Sequence, residues 1–120
     1  MRIALALLAL ALFATPAAAQ NEWNQVWGAI AYGSAPERAT GTAVDYPNPE
    51  AARQAAFENC GGRCTRAIVF QRTCGAVAAG TGGHGWDSNR WRGRAISRAL
   101  KACAGTGPGC TLVAWACTAH

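Results

Sequence analysis

The 120-residue chain is short of the patterns that mark common enzyme classes. It has no G-x-S-x-G nucleophile elbow, no H-E-x-x-H zinc motif and no paired-carboxylate pattern. Histidine occurs only at His84 and His120, so a histidine-rich metal centre has nothing to be built from. Lysine occurs once, at Lys101, and beyond Cys74 the only acidic residue is Asp87. After Phe13 there is no further apolar run of the roughly 20 residues that a spanning helix needs.

The long apolar stretch that does exist is at the start. Met1 and Arg2 precede an apolar run from Ile3 to Phe13, then Thr15, Pro16 and the small residues Ala17, Ala18 and Ala19. This is the order of a secretory signal with an A-x-A cleavage site, and residues 1–19 are read as a cleaved signal peptide. A transmembrane helix is the competing reading, but the run is short and ends in proline and small residues. The mature chain then runs over residues 20–120, a length suited to one small domain. It should be secreted or periplasmic, with no transmembrane segment after cleavage.

Loss of Arg2 lowers the formal charge from +5 to +4. Most of that charge sits in the second half, where Arg90, Arg92, Arg94, Arg98 and Lys101 face Asp87 alone. Six cysteines occur at Cys60, Cys64, Cys74, Cys103, Cys110 and Cys117. In an exported chain of this size an even count reads as disulfides. Zinc is the competing reading of Cys60-x-x-x-Cys64, but the second pair is more widely spaced and histidines are scarce.

An internal repeat organises the rest. Trp27-Gly-Ala-Ile-Ala-Tyr-Gly33 resembles Cys74-Gly-Ala-Val-Ala-Ala-Gly80, and Ala52 to Cys60 lines up with Ala95 to Cys103. Cys64-Thr65 before Ala67-Ile-Val-Phe70 matches Cys110-Thr111 before Val113-Ala-Trp-Ala116. The two copies cover about residues 26–72 and 74–118. Each reads as strand, strand, helix, strand: Val26 to Tyr32, Gly41 to Tyr46, a helix from Asn48 to Cys60, then Thr65 to Gln71. Asn48 as N-cap, Pro49 at the first position and Glu50 in the first turn mark that helix start, and Gly61-Gly62 ends it. In the second copy the strands are Ala76 to Ala79, Gly82 to Trp86 and Thr111 to Cys117, with a helix from near Ser88 to Cys103. The predicted fold is α+β, two pseudo-symmetric repeats forming one sheet with two helices packed on it, stapled by disulfides. The symmetric cysteine pairing is Cys60 with Cys64 and Cys103 with Cys110, which leaves Cys74 for Cys117.

These blocks carry a resemblance. The W-G-A-I-A-Y opening, the A-A-R-Q-A-A-F-E-N-C helix, the C-T-R-A-I-V-F strand and the later C-G-A-V-A, R-A-x-x-x-A-L-x-A-C and C-x-L-V-A-W-A-C blocks resemble the bacterial family called domain of unknown function 4189. The resemblance runs from Trp27 to Thr118 and implies a small secreted or periplasmic bacterial domain. It implies no reaction, cofactor or catalytic residue.

The candidate functional residues come from the second copy. Arg90, Arg94 and Arg98 recur every four residues with Lys101 beyond, so a helix would align them on one face able to meet an anionic envelope component or an acidic protein. A solvated outer face is the plainer reading of the same spacing. Trp86 and Trp91 flank the helix start and could add a stacking surface, while Trp27 and Trp115 are read as core. Nucleic acid is a poor partner for an exported chain. For catalysis the candidates are His84 with Asp87, near Ser88, and the terminal His120. The first function read from these residues is a non-enzymatic exported binding domain using Trp86, Arg90, Trp91, Arg94, Arg98 and Lys101. The alternative is a small envelope-polymer hydrolase using His84 and Asp87. Neither reading calls for a cofactor or a metal.

Overall fold

In the computed structural model the described residues are 24–34 and 38–120; the signal segment and Trp23 lie outside them. The first unit comprises β1 (Trp27–Tyr32), β2 (Thr40–Tyr46), α1 (Pro49–Asn59) and β3 (Arg66–Gln71). The second comprises β4 (Cys74–Ala79), β5 (His84–Asn89), α2 (Arg92–Ala104) and β6 (Thr111–Cys117). The α+β class and the repeated strand-strand-helix-strand order are those the sequence predicts.

One expectation changes. The six strands divide into two antiparallel sheets, β2-β1-β3 and β5-β4-β6, instead of joining in one. Each unit closes its own sheet around its own first strand, because β1 pairs with β2 and β3 while β4 pairs with β5 and β6. The central strands β1 and β4 are then buried on both faces. Ala29 and Ala31 of β1 face α1 with Ala52, Ala56 and Cys60. Ala76 and Ala78 of β4 face α2 with Ala95, Ala99 and Cys103. The opposite faces meet each other through Ile30, Tyr32, Ile68, Phe70 and Val77. The layers therefore run α1, first sheet, second sheet, α2.

The abundance of small residues follows from how closely these layers approach. A Cβ on Gly41 would collide with the backbone of Ala56 and Cys60, and one on Gly85 with the backbone of Ala99 and Cys103. Both helices therefore rest almost directly on the second strand of their unit. Between the sheets, the Phe70 ring occupies space that a Cβ on either Gly28 or Gly75 would fill. Those two glycines occupy equivalent positions in the repeat.

Local signals explain the first helix better than the second. The Asn48 side chain accepts a hydrogen bond from the Ala51 amide at 2.8 Å, so Asn48→Ala should cost about 1 kcal/mol in chemical unfolding. α2 has no side-chain cap and begins at Arg92 rather than near Ser88. Residues 84–89 instead pair along the whole of β4, from Ala79 opposite His84 to Cys74 opposite Asn89. The ladder's backbone bonds hold Ser88 extended. The turn closes when the Trp91 amide donates to Asn89 Oδ1.

The three disulfides are Cys60–Cys64, Cys74–Cys117 and Cys103–Cys110, the symmetric pairing. Each lies within one repeat, so no bridge joins the two sheets. Cys74 and Cys117 are cross-strand partners, a position held in the first unit by Trp27 opposite Gln71. No helix among the described residues is long and apolar enough to cross a membrane.

Candidate functional site

The later start of α2 redistributes the basic residues. Arg94, Arg98 and Lys101 remain on the helix, all exposed and opposite the buried stripe of Ala95, Ala99 and Cys103. Arg90 falls in the turn before it, where its guanidinium lies 5.4 Å from the ring centre of Trp91. Arg98 approaches Asp87 at 3.9 Å, with both side chains well exposed. An exposed pair at that distance is weak and leaves the guanidinium accessible. Arg94 and Lys101 have no acidic neighbour at ion-pair distance among the described residues.

The tryptophans separate. Trp91 is 58% exposed at the N-cap of α2. Trp86 pairs with Val77, so it points to the side of β5 away from α2. It therefore does not share the helix face with Arg94, Arg98 and Lys101. Trp115, expected in the core, is 43% exposed. α2 lies chiefly over β5 and β4 and covers the helix-side face of β6 only in part. There Arg92 stacks on Trp115, its guanidinium carbon 4.6 Å from the ring centre. Sequence reading missed this contact because it depends on which strands the helix covers.

His84 and Asp87 do not form a catalytic pair. They are three residues apart in one strand, so their side chains leave on opposite faces. Asp87 faces α2 and accepts from the Ser88 amide at 2.7 Å as well as meeting Arg98. His84 begins β5 and stacks on Tyr32 with ring centres 4.8 Å apart. Ser88 is exposed, and the His120 carbonyl accepts from the Thr118 hydroxyl at 2.9 Å. No group of three metal-ligating side chains occurs among the described residues.

Beside His84 the two sheets part. A cleft of about 400 Å³ opens there, lined by Tyr32, Thr65, Arg66, His84 and Trp86 with the Gly82-Gly83 turn. Tyr32 and Arg66 are direct partners across β1 and β3, so both side chains project between the sheets. On the other flank β2 and β6 pack together, and Arg38 donates to the Thr111 hydroxyl at 2.7 Å.

Comparison with known proteins places this architecture. The chain is 34% identical to the protein in an NMR structure of Rv1813c from Mycobacterium tuberculosis, with a TM-score of 0.59 over 78% of this chain and 75% of that one. No curated protein matches it. The family model described as Domain of unknown function (DUF4189) matches residues 27–117, from the first residue of β1 to the last of β6, and the chain belongs to that family.

Proposed function

We propose that this is an exported, non-enzymatic binding domain that engages an anionic partner, a cell-envelope component or an acidic protein, through the outer face of α2. The observation that carries the reading is the alignment of Arg94, Arg98 and Lys101 on one exposed helix face with, among the described residues, a single weak acidic neighbour. The helix needs none of them for packing, since Ala95, Ala99 and Cys103 fill its buried side. Arg90 and Trp91 extend the surface at the helix start, where an amphipathic ring can lie against a headgroup or polymer while the cations meet charge. The disulfides and the leader-like N-terminus support a role outside the cytoplasm.

Each basic residue close to an anionic surface contributes about 1 kcal/mol. Removing three should therefore weaken binding by about a hundredfold. The experiment compares wild-type protein with R94Q/R98Q/K101Q, using vesicles rich in phosphatidylglycerol and, separately, polyglutamate. The wild type should bind at least one probe in a salt-sensitive manner, and the variant should lose that binding while keeping its unfolding transition. Wild-type indifference to both probes, or equal binding by the variant, would overturn the reading.

A further inference from the structure

The cleft between the sheets holds chemistry that the repeat alone does not account for. Gly41 and Gly85 meet equivalent backbone atoms of α1 and α2, which fixes the alignment of β2 with β5. Thr40 then corresponds to His84 and Thr42 to Trp86. The alignment of Trp27 with Cys74 likewise sets Ala79 against Tyr32. Three aromatic rings thus stand on the open flank where the equivalent closed flank has two threonines and an alanine.

Strand register brings their side chains to one end of the inter-sheet space. Tyr32 is opposite Arg66, and His84, opposite Ala79, is followed two residues later by Trp86 on the same face. Tyr32, only 6% exposed, forms the floor with the His84 ring against it, while Trp86 is 52% exposed at the rim. Ser34 and Thr65 supply hydroxyls around the opening, and Thr81, whose hydroxyl donates to the Pro108 carbonyl at 3.1 Å, can add only an acceptor. Among the described residues no carboxylate lines the cleft, and none pairs with Arg66.

We propose that this cleft binds a saccharide unit bearing a carboxylate. An exposed indole presents a flat apolar surface to the C–H face of a sugar ring, and hydroxyl side chains exchange hydrogen bonds with its hydroxyls. Arg66 supplies a planar fork of donors matched to a carboxylate, and among the described residues nothing acidic competes with the ligand for it. The volume falls in the range of small ligand clefts. A neutral sugar would leave Arg66 without a partner, and a simple anion would leave Trp86 without one.

The site is separate from the outer face of α2, so the two are testable independently. The experiment titrates isotopically labelled mature protein with D-glucuronate, D-glucose and acetate, following backbone amide signals by NMR. Glucuronate should shift the signals of Tyr32, Thr65, Arg66 and the 81–86 segment. Glucose and acetate should each bind more weakly. R66Q and W86A should each weaken glucuronate binding by about tenfold, the effect of losing one charge-assisted contact or one stacking surface. Both side chains are exposed, so unchanged signals elsewhere verify the fold, and R94Q/R98Q/K101Q should bind glucuronate as the wild type does. Glucose or acetate matching glucuronate, shifts centred away from the cleft, or no shift at the highest soluble concentration would overturn the proposal.

Discussion

Replacing Cys74 and Cys117 by alanine is expected to cost about 4 kcal/mol, whereas removing Cys60–Cys64 or Cys103–Cys110 should cost about 2 to 2.5 kcal/mol. The difference comes from loop closure. Cys74 and Cys117 are 43 residues apart, against separations of 4 and 7 for the other pairs, so breaking their bond restores far more freedom to the unfolded chain. The bridge also fixes the register of β4 against β6, since the two cysteines are cross-strand partners at one end of the ladder. A domain of about 100 residues has a net stability of roughly 5 to 15 kcal/mol, so loss of this one bond should bring it near its threshold. Urea unfolding of the three double-alanine variants measures the ranking. A smaller loss for Cys74 and Cys117 than for either local pair would contradict it.

Phe70→Ala should be comparably severe, at about 3 to 5 kcal/mol. Phe70 is 3% exposed and sits between the sheets against Gly28 and Gly75. The two glycines have no side chains with which to fill the space, so the cavity would persist rather than collapse. No disulfide joins the sheets, so their attachment depends on the packing of Phe70, Ile30, Ile68 and Val77 and on a few polar links. Those links include Arg38 to Thr111 and the Ala119 amide to Asp45 Oδ1 at 2.8 Å. Chemical unfolding would register the loss, and amide exchange should show faster opening in both units. A cost below 1 kcal/mol would mean that the inter-sheet core does not hold the units together.

The parts of this structure that were legible in the sequence are those set by local chemistry. Asn48, Pro49 and Glu50 announce α1 because a cap and a first turn are decided by adjacent residues. The repeat located all six strands and both helices because each unit forms its own sheet. What escaped depended on partners distant in sequence. Ser88 has the chemistry of an N-cap, but cross-strand pairing with Gly75 keeps it in β5 and moves Arg90 off the helix. Trp115 follows an apolar strand pattern, yet the helix that would cover it sits chiefly over β5 and β4. The cleft was legible only through His84 and Trp86. Tyr32 and Arg66, on strands of the other unit, become its floor and its cation only once the two sheets are stacked.

Net charge alone could imitate recognition of an anionic partner by the basic face of α2. The most direct measurement is therefore binding to phosphatidylglycerol vesicles and to polyglutamate by two variants of equal charge, R94Q/K101Q and R53Q/R63Q. Arg53 and Arg63 are exposed in the first unit, with Arg53 on α1. R94Q/K101Q should lose about tenfold or more in affinity while R53Q/R63Q stays near wild type. Equal losses in the two variants, or a larger loss in R53Q/R63Q, would contradict recognition through α2.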